Sequence, residues 1–494
     1  MKTNFAIMLF LSFSFAKINF SYNGEFTQFY SQRTSNNEVL NIPFNMIDLH
    51  TSIQIENFGI KSYITSEYHQ IYDNYLHSKN ITNNIRELYG TFYLDFGEIS
   101  IGKKIFTLGS VDENSPIDHY NPYNYYYLLS GGMDKKVGTN SIFFEFYLVN
   151  DYVISGAISP EHNTNYYPQN DPEYNLSLPI NPEYYQFLDN KGSSHESFLT
   201  IKKSNLNNEF TFTYLRAFDR VFSLSGFTIH EFDGNNTFNN PDTWFSYYLT
   251  ESLNLGSVFL FNDFTIRSDV TFFHSFDRYT RNDYLNLRHS IDIQLGPSSN
   301  FYNELYDQLD IDGDGENDLF NAALQENVKY RQITLQGELP LPNNWQFNMQ
   351  YFKYDLLDYS INDYTFSDTS VQLPLVTIDL NDVISDEGEY FIPGLGSSMA
   401  TLTNESILIG IEKYVFDNNL KLSFTQFRDL DTGDGKLYSF EAKYDISDNI
   451  NIIFGSTEII GDESIQSENE LDLGYTFNIM KDFSHNRLQL SYFF

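Results

Sequence analysis

The chain has 494 residues with 46 Phe, 38 Tyr and 19% charged residues, too aromatic for a disordered polymer, and its mean hydropathy of −0.38 is too polar for a helical membrane bundle. It has no cysteine, which removes disulfide frameworks and thiolate chemistry. A formal net charge of −37 argues against a partner held through its phosphates and leaves the acid either in a cation-attracting lumen or on a solvated surface.

Residues 1–16 read as a signal peptide. Lys2 supplies the positive charge, Phe5–Phe15 the short apolar run, and Ser14 and Ala16 the small residues for cleavage after Ala16. The run falls short of the roughly 20 residues a helical span needs, and nothing later in the chain reaches that length. The competing reading is a buried N-terminal strand. Residues 17–494 contain nothing resembling a linker, so one domain is expected.

Short turn signals alternate with long polar segments along the rest of the chain. The turns are Asn57–Gly59, Gly97-Glu98, Asn150-Asp151, Asn205–Asn208, Pro342–Asn344, Asp417–Asn419 and Ser447–Asn449. The long segments are 70–85, 108–141, 159–195, 278–326 and 356–403. Tyr63 and Tyr68, Tyr89 and Tyr93, and Tyr351 and Tyr354 crowd segment ends, where aromatic girdles would sit.

In 86–98, Glu87, Tyr89, Thr91, Tyr93 and Asp95 share one face, and Leu88, Gly90, Phe92, Leu94 and Phe96 share the apolar one. On the return strand Ser100, Gly102 and Lys104 would face inward beside Asp95. Lys103 falls on the Ile99/Ile101/Ile105 face, costly unless near an interface. Pro116 and Pro122 then break any strand, and Tyr123–Tyr127 could stack inside a pore. Arg86-Glu87-x-Tyr89, Gly102-Lys103-Lys104, Gly109, Asp112, Pro116, Asp118 and Asn121-Pro122 resemble a block of several porin-like outer-membrane families. In those families a hairpin runs into a segment folded toward the lumen. The resemblance implies that Asp95, Lys104, Asp112, Asp118 and His119 are lumen residues filtering solutes electrostatically; the plainer alternative is an outer loop with a structural Asp-Pro turn.

In 263–272, Phe264, Ile266, Val270 and Phe272 oppose Asp263, Thr265, Arg267, Asp269 and Thr271. Asp310, Asp312, Asp314 and Asp318 then fall at positions 1, 3, 5 and 9 of a calcium loop, with Gly315 at the sharp turn and the Glu316 carbonyl as a further ligand. Asn321 stands where the bidentate Glu belongs, so Ca2+ is the one cofactor expected, most simply to stiffen a loop. Asp429–Asp434 has poorer spacing and reads as a hairpin tip.

Trp345, Phe347, Met349 and Tyr351 oppose Gln346, Asn348 and Gln350. Tyr438, Phe440, Ala442, Tyr444 and Ile446 oppose Ser439, Glu441, Lys443 and Asp445. Residues 471–479 show the same pattern, with Leu471, Leu473, Tyr475, Phe477 and Ile479 on one face. The chain ends in a strand carrying Leu488, Leu490, Tyr492 and Phe494 on one face, which resembles the terminal signature by which outer-membrane barrels are recognised for assembly.

No nucleophile elbow, phosphate loop or paired-histidine metal motif occurs; Gly394–Ser398 lacks the elbow spacing, and His230, His274 and His289 beside serines are too ordinary a pattern to mark a triad. The expected fold is all-β: a single transmembrane antiparallel barrel of about 18 strands, between 16 and 20, with short periplasmic turns and long outer loops. The strand parity places the C-terminus on the wrong side, which points to one strand miscounted, within 209–232 or 285–296. The expected function is a non-enzymatic outer-membrane channel for small hydrophilic solutes, cation-preferring. The alternatives are a non-conducting binding or structural barrel and a membrane-embedded hydrolase. Outer-membrane lipid and small solutes are the expected partners, a homo-oligomer stays open, and nucleic acid is excluded.

Overall fold

The computed structural model describes residues 18–42, 44–68, 81–127, 136–167, 182, 186–188, 195–230, 242–280, 283, 319–362, 370–372, 377–379, 391–465 and 475–494. Among them, eighteen antiparallel strands close into one barrel. The first six are β1 (Ile18–Arg33), β2 (Asn45–Ile55), β3 (Phe58–Tyr68), β4 (Ile81–Leu94), β5 (Gly97–Lys104) and β6 (Thr139–Tyr147). The next six are β7 (Tyr152–Ser159), β8 (Glu196–Ser204), β9 (Asn208–Phe218), β10 (Leu249–Phe261), β11 (Phe264–Phe276) and β12 (Asn327–Leu341). The last six are β13 (Trp345–Ser360), β14 (Glu405–Val415), β15 (Leu420–Asp429), β16 (Lys436–Ser447), β17 (Ile450–Ile460) and β18 (His485–Phe493). Each strand pairs with its chain neighbours, and β18 closes on β1 through a ladder from Glu25↔Phe493 to Arg33↔His485.

Short turns such as Glu56-Asn57, Asp95-Phe96, Asn262-Asp263 and 448–449 all fall on one rim. Both ends of the barrel chain lie on that rim, since Ile18 pairs with Ile55 and the Phe494 N–H donates to Gly24 O at 3.0 Å. The long connections all fall on the opposite rim. Ser223–His230, Asp242–Ser246 and Leu319–Ala323 form a small separate sheet there.

Alternation fixes the two faces. Outward positions carry Phe26, Ile47, Ile60, Ile101, Ile142, Leu199, Phe212, Leu255, Phe272, Leu335, Met349, Phe424, Phe454 and Leu490, all large apolar side chains exposed outside. Outward charges gather at the ends of this belt. Lys103, the Arg216–Glu251 pair, Arg331–Asp355 and Lys353–Glu405 sit near the long-loop rim; Lys203, over Tyr152, and Lys413, over Trp345, sit near the other. On β14 the span from Glu405 to Lys413 holds only Ile407, Ile409 and Ile411 outward, about 26 Å of strand at about 3.3 Å per residue. That matches the height of a hydrocarbon layer crossed at a tilt.

Two expectations need correction. Residues 475–480 are not a strand: Thr476–Met480 is a short helix, and Tyr475 and Phe477 are buried among loop aromatics. Because β17 pairs directly with β18, removing that strand restores an even count and puts both termini on one rim. The parity fault therefore lay at 471–479. In 209–232, β9 is in the barrel and Ser223–His230 is in the small sheet, and 285–296 lies outside the described residues. The girdle expectation fails for Tyr63 and Tyr354, which point inward. Tyr63 stacks on His50 at 4.0 Å and Tyr354 on Tyr330 at 5.7 Å. The outward aromatics of the short-turn rim are instead Phe20, Tyr22, Phe96, Tyr152, Phe261, Tyr444 and Tyr492.

Candidate pore constriction

The inner wall of β11–β13 presents a polar lattice set by register. Asp269 stands opposite Thr334, Arg267 opposite Gln336, and Gln336 opposite Gln350. Across this wall lies the segment Gly109–Ser115, which leaves β5 and folds into the lumen.

Asp269 anchors it. Its carboxylate accepts the Ser110 N–H at 2.9 Å, the Val111 N–H at 3.0 Å and the Ser115 hydroxyl at 2.6 Å. An ionised acceptor makes these bonds stronger than neutral ones. Gly109 has φ +96, and a Cβ there would collide with Ser115 Oγ, so the approach requires glycine.

Further bonds fix the tip. The Asp112 N–H donates to Gln336 Oε1 at 3.0 Å, and Gln336 Nε2 returns a bond to Asp112 Oδ2 at 2.7 Å. Gln350 Nε2 donates to Glu113 O at 2.7 Å, Asn114 Nδ2 to Gln350 Oε1 at 2.8 Å, and Thr334 Oγ1 to Asn114 O at 2.9 Å. Arg267 joins wall and loop, 2.8 Å from Glu338 and 3.3 Å from Asp112. The Asp112 side chain remains 56% exposed.

The sequence-picked residues take several places. Asp112 lies in this cluster. Asp118 accepts the Leu108 N–H at 2.9 Å and pairs with Lys136 at 2.5 Å, tying the two limbs of the loop. His119 is fully buried, with Nδ1 bonded to Pro116 O at 2.6 Å and its ring 5.3 Å from Phe273; burial pushes its pKa down to about 3, so it is neutral. Lys104 faces inward against Glu98 at 3.5 Å and over the Phe143 ring at 4.0 Å. Asp95 is exposed in the tight turn of the short-turn rim, at the far end of β5 from Lys104. Tyr125 and Tyr127 pack into a buried aromatic cluster with Leu40, Ile42 and Phe44. Asp310, Asp312, Asp314, Glu316 and Asp318 lie outside the described residues, as do residues 1–16. Asp434 of the second acidic turn pairs with Arg428 at 2.8 Å and with Lys436 at 2.5 Å. His274 is on the outer face, bonded to Asn327 at 3.0 Å.

Sequence reading missed Gln336, Glu338, Gln350 and Arg220. The polar alternation of 263–272 marks Arg267 and Asp269 as inward, but nothing local pairs them with a loop more than 150 residues away. Arg220 is a buried hub. It holds Glu196 at 2.7 Å, Asn163 O at 2.9 Å and Tyr120 O at 2.6 Å, and His162 Nδ1 stands 2.9 Å from the same Glu196.

No family model and no curated protein matches the chain. Among solved structures it is similar to the outer membrane protein OpdK of Pseudomonas aeruginosa, at 8% identity and TM-score 0.47, covering 96% of this chain and 99% of that one. It is also similar to OccAB3 of Acinetobacter baumannii, at 12% identity and TM-score 0.46, covering 97% and 99%. OmpT of Vibrio cholerae, an outer membrane protein, matches at 8% identity and TM-score 0.37, covering 97% and 98%. These likenesses are weak, and the barrel and its infolded loop stand on this chain's own geometry.

Proposed function

We propose that the chain is an outer-membrane, porin-like channel that passes small hydrophilic solutes by passive diffusion and prefers cations. The observation that carries this reading is the combination of an apolar outer belt with a charged inner wall narrowed by Gly109–Ser115. A barrel of this strand number is wide enough for an aqueous path, so an infolded loop sets its selectivity. The cation preference rests on Asp112 and Glu338, whose nearby cation Arg267 is already engaged by both, and on the overall charge of −37. On this reading the chain is exported by residues 1–16, and Asp310–Asp318 binds calcium in an outer loop.

Planar-bilayer recording of the refolded barrel tests it. Stepwise conductance with a reversal potential displaced toward cations in a salt gradient is expected; a folded barrel that never conducts would falsify the reading. The alternative of a non-conducting, ligand-binding barrel is favoured by one feature, the aromatic packing that fills the outer half of the lumen.

A further inference from the structure

Two buried clusters occupy the long-loop half of the barrel interior. One joins Phe44, Tyr125, Tyr127, Phe427, Tyr475 and Phe477. The other joins Phe106, Tyr120, Phe198, Tyr330, Phe391 and Leu395. They meet along a seam crossed by two segments. Residues 106–127 contribute Phe106 and Tyr120 to one cluster and Tyr125 and Tyr127 to the other. Residues 391–402 contribute Phe391 and Leu395 to one, while Met399 and Leu402 pack on the other. The seam leaves a cavity of about 10 Å³ beside Arg220, Tyr125, Gly394 and Thr401, room for a single water. A hydrated solute needs far more, so it cannot pass with both segments in place.

The two segments are held differently. Gly109–Ser115, within the first, is gripped by a carboxylate and by amide pairs on three strands. Phe391–Leu402 is tied to its surroundings through backbone groups. The Arg220 N–H donates to Gly394 O at 2.8 Å, the Tyr330 hydroxyl to Leu395 O at 3.1 Å, and the Ser397 N–H to Gln332 Oε1 at 2.8 Å. A Cβ on Gly394 would collide with Asp219 and one on Gly396, at φ +123, with Gln332, so the segment is shaped to lie flush on the wall. Arg220 is itself locked by Glu196, Asn163 and Tyr120, so one side chain coordinates three loops and the wall under this segment.

We propose that Phe391–Leu402 is a movable plug latched at Arg220, and that solute crosses only when this segment leaves the wall. The proposal rests on the channel reading. It makes passage a two-state event, with the closed state defined by the seam and the open state by withdrawal of one segment.

The chain lacks cysteine, so a Ser397→Cys, Gln332→Cys variant carries one thiol pair, at positions whose contacting atoms lie 2.8 Å apart. Single-channel recording of the full-length barrel, with the cross-link verified by mass spectrometry, compares oxidised and reduced states. Oxidation should lower open probability roughly tenfold and reductant should restore it. Arg220→Gln should raise open probability while leaving the reversal potential unchanged. An oxidised, cross-linked barrel that conducts like the reduced one overturns the plug, whether or not Arg220→Gln folds. If wild type, reduced variant and Arg220→Gln all insert as folded barrels and none conducts, the channel reading itself falls, and the plug with it.

Discussion

The two sides of the barrel interior follow the same alternation but end in different environments. On β9–β12 the inward residues are Thr213, Ser252, Asn254, Thr271, Gln332 and Thr334, essentially inaccessible beneath infolded loops. On β14–β16 they include Glu412, Lys421, Glu441 and Lys443, half-buried and facing open space, with Lys421 2.8 Å from Glu412 and Arg487 of β18 2.9 Å from Glu441. Where loops cover the wall, the chain uses hydroxyls and amides, which a loop backbone can satisfy. Where water covers it, the chain uses charges of both signs, which a dry wall could not tolerate without partners. The inward polar residue type thus records which part of the wall stays wet.

Breaking the covered side should cost most. Glu196→Ala strands Arg220 without its carboxylate, and loss of one member of a buried pair destabilises by about 3–5 kcal/mol, read by urea unfolding in micelles. Asp269→Asn should come next: it weakens three bonds from Gly109–Ser115, each worth about 1.5–3 kcal/mol when the acceptor is charged, and single-channel conductance should rise as the loop lifts. An unchanged conductance would show that this segment does not narrow the path.

The covered side should also carry the pH dependence. His119 has its pKa pushed by burial from 6.5 to about 3, so the unfolded chain takes up its proton first. Its contribution to stability is complete above pH 6.5 and drains away as pH falls toward 3. Asp219, buried against Thr250 and Ser275, is pushed by burial from 3.8 up to about 7 and acts with the opposite sign: its contribution is complete below pH 3.8 and is lost as pH rises through 7. Unfolding midpoints measured across that range for His119→Gln and Asp219→Asn should each lose one limb. The smallest effect belongs to the open side: Glu412→Gln should change stability by only about 0–1 kcal/mol, since its Lys421 pair is solvent-accessible, yet move the reversal potential away from cations. A large stability loss there would erase the contrast between the two walls.

Strands were the most legible part of the sequence. Residues 263–272, 345–351, 438–446 and the terminal segment all place their apolar set outward, because in a two-faced wall a period of two has one solution. Residues 475–480 defeat the same logic. Tyr475 and Phe477 alternate with polar residues, but they pack as loop residues over the lumen, Tyr475 bonding Asp429 at 2.5 Å. Periodicity reports which residues seek burial, not whether a partner strand is there to receive them. The pore segment was only half legible for a related reason. Asp112 stands in a recognisable block, while Gln336 and Gln350, which hold the tip, are 224 or more residues away, beyond any local pattern.

The closure of the barrel brings Phe494 against Gly24. Phe494 N donates to Gly24 O, Gly24 N donates to Phe494 O, and the bare Gly24 backbone makes room for the Phe494 ring. The first strand to be exported therefore waits for the last residue made before it gains its second neighbour. Throughout that interval the chain is a curved sheet with two raw edges, prone to pair with any stranger it meets. Such an architecture ties correct maturation to escort across the aqueous compartment, and makes even a one-residue trim at the carboxyl end a defect of assembly before it is a defect of transport.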